Sequence, residues 1–114
     1  MKGDAEMAIR FSDTKEFTKT QLASLYEQAE HPAAKDPTRL KAAAAGSSRV
    51  VSAWEGKRLI GIIRAIDDGA MMAYVCEMVI CPDERENQIA CELRRRLREA
   101  YGEAFRLDGI DDDA

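Results

Sequence analysis

The segment LIGIIRAIDDG at residues 59–69, followed by MMAYVCEMVICP at residues 71–82, decides the fold of this protein. Both runs are almost continuously apolar, and the Asp68-Gly69 pair between them is typical of a tight turn. The run RVVSAW at residues 49–54 precedes them across a short polar turn. The three runs predict three consecutive antiparallel strands. Because the last two strands lack a polar face, we expect other elements to cover both of their sides.

Helical patterns flank these strands. Thr18 and Gln21 have the spacing of a capping box, and apolar residues then recur at helical spacing, which predicts a helix over 19–30. Asp36-Pro37 marks the start of a second helix. This second helix is predicted at about 37–45, and a third helix is predicted at 88–101. Short strands are predicted at 8–12 and from 104 to 107. The predicted order is β-α-α-β-β-β-α-β, an α+β domain.

Size and charge indicate one domain with a neutral body. The chain has 114 residues, 46% of them apolar and 33% charged. We expect a single domain over 1–114, with a core at 7–107 and an acidic tail at 108–114. Residues 103–114 contain five acids and one arginine, which equals the whole net charge of −4. A neutral body with an acidic end argues against a nucleic-acid partner.

Composition also argues against a membrane or metal protein. No run approaches the ~20 apolar residues of a membrane span, and residues 1–10 lack the apolar core of a secretory signal. The three cysteines form no CxxC pair, and the chain has one histidine, so no metal site is predicted. We therefore expect a cytoplasmic protein with free thiols and no membrane partner.

Glu77 is the strongest candidate for a catalytic residue in the predicted strands. It is the one side chain between residues 71 and 80 of a type that is ordinarily charged at neutral pH. Burial there raises the pKa of a carboxyl group toward neutrality, where a general base works best. Two other interpretations stay open, namely a carboxylate at a splayed or wet strand end and an ion pair with Arg64 on the neighbouring strand.

The strand-to-helix junction over 80–90 is the second candidate. Free N–H groups at a helix start suit a phosphate group. The loop contains Asp83, Glu84 and Glu86 beside Arg85, however, and acids at a helix start also simply complement the helix dipole. From these residues alone, a well-capped surface helix is therefore the favoured explanation of the junction.

Three segments together resemble one family. The runs VVSAW at 50–54, LIGIIRAIDDG at 59–69 and EMVICP at 77–82, in this order of elements, are similar to the small bacterial members of the GNAT superfamily of acyl-CoA N-acyltransferases. The resemblance covers about residues 8–107. It implies a layered α/β/α domain with a mixed, mostly antiparallel sheet. It also implies that the usual C-terminal elements of the family are missing here.

The resemblance assigns site residues. It implies that acetyl-CoA binds as co-substrate, with its pantetheine arm on the backbone of Val79 and Ile80, and that Glu77 is the general base. The family's phosphate pattern falls on Arg85, Glu86, Asn87, Gln88, Ile89 and Ala90. Gln88 stands where the family has a central glycine, and Glu84 and Glu86 repel phosphate, so weak or altered binding of CoA is expected.

Three functions follow from these observations. The first is an N-acetyltransferase that moves an acetyl group from acetyl-CoA to a primary amine of a small molecule or peptide. The alternative is a catalytically degenerate GNAT-like module that binds a ligand or dimerises. A plain α+β interaction domain is the third. In the first two cases an uncovered sheet edge predicts a homodimer.

Overall fold

The computed structural model describes residues 8–110. Residue 7 of the predicted core and residues 111–114 of the predicted tail lie outside that range. Within it the chain forms strands β1 (Arg10–Ser12), β2 (Arg49–Glu55), β3 (Arg58–Asp67), β4 (Met72–Ile80) and β5 (Arg106–Asp108). The α-helices are α1 (Lys19–Gln28), α2 (Pro37–Gly46) and α3 (Glu86–Tyr101), and a 3₁₀ helix (Pro32–Lys35) joins α1 to α2.

The predicted order of elements is confirmed, and local chemistry explains it. The hydroxyl of Thr18 accepts from the N–H of Gln21, whose side chain accepts in turn from the N–H of Thr18, so α1 begins with a complete capping box. The carboxylate of Asp36 accepts from the N–H of Arg39 at the start of α2. Helix α3 begins two residues earlier than predicted, and the 3₁₀ helix was not predicted.

The strands form one mixed sheet in the order β1-β2-β3-β4-β5. The first three pairings are antiparallel, and β5 runs parallel to β4. Helix α1 packs on one face of the sheet, here the α1 face, and α2 packs on α1. Helix α3 covers the opposite face, here the α3 face. The predicted layered α/β/α arrangement is therefore confirmed for the described residues.

A glycine sets the distance between α3 and the sheet. A Cβ atom on Gly61 of β3 would lie 3.1 Å from Cγ2 of Ile89 and 3.4 Å from Cδ1 of Leu93. Both partners are fully buried on α3. The missing side chain thus lets the helix lie close to the sheet, and this contact places the start of α3 beside the end of β4.

The sequence predicts that other elements cover both sides of β3 and β4. This prediction is wrong at one end of the β3–β4 hairpin. Ile66, Met71, Met72 and Tyr74 are exposed, at 50%, 68%, 38% and 54%. Helix α1 packs on the other half of the α1 face, where its Tyr26 reaches Glu77. A continuous apolar run cannot show where the covering helix stops, because that depends on helix length and crossing position. None of the helices in the described range is long and apolar enough to cross a bilayer.

Candidate active site

The end of strand β4 has an open side. Strand β5 pairs with β4 over Met72–Tyr74, and the chain still runs close to Val75 at Gly109, where an added Cβ atom would lie 2.9 Å from the carbonyl oxygen of Val75. Beyond that point, no strand of the described range pairs with β4 on this side. The sheet therefore opens along residues 76–80, and the backbone groups facing the opening are free to bind a ligand.

Strand alternation shows which groups face the opening. The N–H of Cys81 donates to the carbonyl of Ile60 on β3 at 2.9 Å. In an antiparallel ladder, successive residues direct their backbone groups to alternate sides. Val79 therefore directs its N–H toward β3 as Cys81 does, whereas Met78 and Ile80 direct theirs into the opening.

A β-bulge orients Glu77. The register pairs Arg64 with Glu77 but Ala65 with Val75, so Cys76 is an extra residue on β4. Side chains alternate along a strand, and one extra residue reverses the alternation. The bulge thus turns Glu77 onto the α1 face, the face that also carries Arg64.

Glu77 lies at the centre of a hydrogen-bonded cluster. Its Oε2 accepts from the hydroxyl of Tyr26 at 2.6 Å and from Nε of Arg64 at 3.0 Å. Its Oε1 lies 3.4 Å from Nε2 of His31. The N–H of Ala33 donates to Nδ1 of His31 at 3.0 Å, so a neutral imidazole carries its proton on Nε2, toward Glu77. We call these four side chains, Tyr26, His31, Arg64 and Glu77, the Glu77 cluster.

The cluster keeps the carboxylate ionised. Burial pushes the pKa of Glu77 upward, but hydrogen bonds from Tyr26 and Arg64 and the charge of Arg64 outweigh it, and the pKa falls below its ordinary value. The expectation of a raised pKa is therefore wrong, and the pairing with Arg64 is confirmed. Burial and the bond to Glu77 raise the pKa of Tyr26, so its proton stays on the hydroxyl.

A small pocket lies beside the cluster at the open side of β4. Its volume is about 270 Å³. It joins the end of α1, the end of β4 and the first residue of α3, and its lining is Ala29, His31, Met78, Val79, Ile80, Pro82 and Glu86. The predicted residues Val79, Ile80 and Glu86 thus meet at one place, next to Glu77.

The other predicted residues at the start of α3 lie differently. The guanidinium of Arg85 donates to Glu55 at 2.8 Å and to Asp83 at 2.9 Å. Those hydrogen bonds raise the pKa of Arg85 further and hold its charge between two acids. Gln88 and Ile89 line a separate groove of about 670 Å³ between α3 and β1.

Comparison with known proteins identifies the fold. No protein-family model matches the chain, and no curated protein matches it. A putative acetyltransferase from Deinococcus radiodurans has a similar structure, with 25% identity over 92% of this chain and 73% of its own, at a TM-score of 0.75. A GNAT-family acetyltransferase from Streptococcus pneumoniae is 20% identical over 94% of this chain and 78% of its own, at a TM-score of 0.73. The chain has the GNAT fold.

A third similar structure is an aminoglycoside 6′-N-acetyltransferase complexed with coenzyme A. It is 21% identical over 80% of this chain and 54% of its own, at a TM-score of 0.64. The roles that the resemblance gives to Glu77, Val79, Ile80 and the residues 85–90 stay predictions. No group of three or more metal-ligating side chains occurs in the described range.

The sequence did not predict two members of the Glu77 cluster. In the sequence, Tyr26 is one of the apolar residues that recur at helical spacing in α1, and His31 stands beside a proline after that helix. The phenol of Tyr26 is buried but carries a hydroxyl that needs a partner, which is the one signal that pointed beyond packing. Nothing in the sequence placed His31 or Tyr26 near residue 77, because they are 46 and 51 positions away.

We expect the Glu77 cluster to make folding stability depend on pH. The pKa of Glu77 is lower in the folded protein, so its contribution is present above the ordinary pKa of glutamate and lost as pH falls through the folded value. Urea unfolding between pH 7 and pH 3 will test this with the wild type and Glu77→Gln. The difference in unfolding free energy should be largest near pH 7 and shrink in acid. A difference that stays constant would contradict the ionised pair.

Proposed function

We propose that this protein transfers an acetyl group from acetyl-CoA to a primary amine. The observation that carries the proposal is the opening beside β4, where free backbone groups, an ionised carboxylate and a pocket converge in a GNAT fold. The thioester lies along residues 78–80, and the N–H of Ile80 polarises its carbonyl. The neighbour complexed with coenzyme A supports this choice of co-substrate.

Glu77 acts as the proton acceptor. The amine nitrogen bonds to the thioester carbonyl carbon, and the carbon–sulfur bond then breaks with CoA leaving as thiolate. The nitrogen becomes positively charged when it forms that bond, so it gives its proton readily to a carboxylate, directly or through water. The amine attacks in its neutral form, and Glu77 is ionised at neutral pH, so the carboxylate is free to take the proton that the attack makes acidic.

The phosphate end of CoA meets a less favourable surface. Asp83, Glu84 and Glu86 surround the start of α3, and Arg85 is already paired with Glu55 and Asp83. The charge of Arg85 is thus not available to balance Glu84 and Glu86. The negative charges of these two acids repel a phosphate at this helix start. The pantetheine arm therefore contributes most of the affinity, and binding is weaker than a glycine-rich, basic loop would give.

The acidic surface at the start of α3 favours a second candidate function, a GNAT-like module that binds a ligand without catalysis. A module with the GNAT fold, a paired Arg85 and a Glu77 bound by three side chains also suits a protein that binds a ligand without turnover. In that case the Glu77 cluster holds α1 against the sheet and takes no part in proton transfer.

Calorimetric titration with acetyl-CoA at moderate salt separates the two functions. Saturable binding together with release of free thiol in the presence of a panel of primary amines supports acetyl transfer. Binding without thiol release from any amine favours the degenerate module. Absence of binding at about 1 mM ligand overturns the transferase proposal, because a co-substrate has to bind near its working concentration.

We expect Glu86→Gln to tighten binding of acetyl-CoA by about two- to fivefold at low salt, because one acid at the helix start is removed. Added salt should reduce the gain, since it screens the repulsion. Glu16→Gln is the matched control, because this exposed acid precedes α1 and lines no part of the pocket. Equal affinity of Glu86→Gln and wild type would show that the phosphates bind elsewhere.

A further inference from the structure

Strand β5 forms one edge of the sheet, and its outer side is free in the described range. The N–H of Arg106 donates to the carbonyl of Met71 at 2.8 Å, so Arg106 directs its backbone toward β4. Backbone groups alternate along a strand, and Asp108 therefore does the same. Leu107 between them directs both its N–H and its carbonyl outward.

The charges on β5 complement each other in an antiparallel pair. Arg106 and Asp108 flank Leu107, and within one copy Nε of Arg106 donates to Oδ1 of Asp108 at 3.2 Å. Their side chains are 75% and 43% exposed, so both charges also face outward to a second strand. If two β5 strands pair about an axis through Leu107, Arg106 of each strand faces Asp108 of the other. That position is a non-hydrogen-bonded pair, in which opposed side chains lie closest. A single charge sign would protect the edge against a second copy, but here both signs are present.

Apolar surface borders this edge on both faces of the sheet. On the α1 face, Tyr74 pairs with Asp108 in register, and Ile66 lies beside Tyr74. Both apolar side chains are about half exposed. On the α3 face, a groove of about 440 Å³ is lined in part by Tyr101, Phe105 and Leu107. A twofold axis at Leu107 brings these surfaces of two copies together.

We propose that β5 pairs antiparallel with β5 of a second copy, centred on Leu107, to give a continuous sheet across a homodimer. The outward groups of the two Leu107 residues bond to each other, and the two Arg106–Asp108 pairs flank them. The apolar side chains Ile66 and Tyr74 pack against the partner's edge. The proposal does not depend on the proposed acetyl transfer, because none of these residues lines the pocket beside Glu77.

Complementary charge reversals test the register. We expect sedimentation equilibrium to show a dimer for the wild type. Arg106→Asp places two acids opposite each other at both pairs, and Asp108→Arg places two arginines there. Each variant alone should dimerise at least about tenfold more weakly. Mixed in equal amounts, the two variants should form a heterodimer of near wild-type affinity, because every pair is then again of opposite charge.

Arg39→Asp is the control, since it makes the same charge change at an exposed site on α2. It should leave the dimer unchanged. Circular dichroism of each variant shows whether the fold is intact. Leu107→Pro is a further test, because it removes the outward N–H of Leu107 and no hydrogen bond between β5 and β4. This variant should also weaken the dimer. A monomer at all concentrations up to about 1 mM overturns the proposal. A wild-type dimer that the single variants leave intact, or a mixture without recovery, also overturns it.

Discussion

Glu77→Gln is expected to lower the turnover number for acetyl transfer by about 10²-fold or more, with little change in the affinity for acetyl-CoA. Proton transfer by a positioned base contributes roughly 10²–10⁴-fold to rate, and glutamine cannot accept the proton. The substitution keeps the size of the side chain. Its amide oxygen can still accept from Tyr26 and Arg64, which limits structural change.

The measurement is a thiol-release assay under saturating acetyl-CoA, with calorimetry for binding. Loss of turnover with unchanged affinity locates the effect in the chemical step. Wild-type turnover in Glu77→Gln would remove Glu77 from the mechanism and leave the cluster a structural role.

Arg64→Met gives this prediction a second, independent readout. Removal of the guanidinium takes away a hydrogen bond and a charge that hold the pKa of Glu77 low. The pKa of Glu77 should rise, and the acid limb of the pH–rate profile should move to higher pH. A purely structural role of Arg64 would lower the rate or stability without moving that limb.

Leu93→Ala is expected to lower the free energy of unfolding by about 3–4 kcal/mol, the largest effect on stability that we predict from a single truncation. Leu93 is fully buried on α3 and lies against Gly61 of the sheet. Because Gly61 has no side chain to fill the gap, a cavity remains at the contact between α3 and β3. For a chain of this length, the melting temperature should fall by roughly 15 °C.

Leu93→Met is the matched control, because it nearly conserves volume and should cost less than about 1.5 kcal/mol. Urea unfolding of the three proteins gives the comparison. A loss below about 1 kcal/mol in Leu93→Ala would mean that the helix closes onto the sheet when the side chain is removed.

Local chemistry accounts for most of the secondary structure. The capping box at Thr18, the Asp36-Pro37 start of α2 and the Asp68-Gly69 turn each depend on neighbours in sequence, and each occurs where it was predicted. Asp68 also illustrates the strength of such signals. Its carboxylate accepts from the N–H groups of Ala70, Met71 and Met72, and these bonds lower its pKa to about 2.

The candidate site was only partly predictable. A lone carboxylate in an apolar strand marked Glu77, and its partner Arg64 followed from strand pairing. The sign of the pKa shift did not follow, because burial and hydrogen bonding act in opposite directions and the second depends on side chains distant in sequence. Tyr26 and His31 supply part of that effect.

The sequence by itself thus determined the order of the elements, the three central strands and the presence of a carboxylate in the last of them. Those features depend on periodicity and turn residues, which are local. The tertiary structure decided which way that carboxylate faces. The extra residue Cys76 turns Glu77 onto the α1 face, and α1 then supplies the hydroxyl that binds it. A bulge is a property of the register between two strands, so no pattern within one strand contains it.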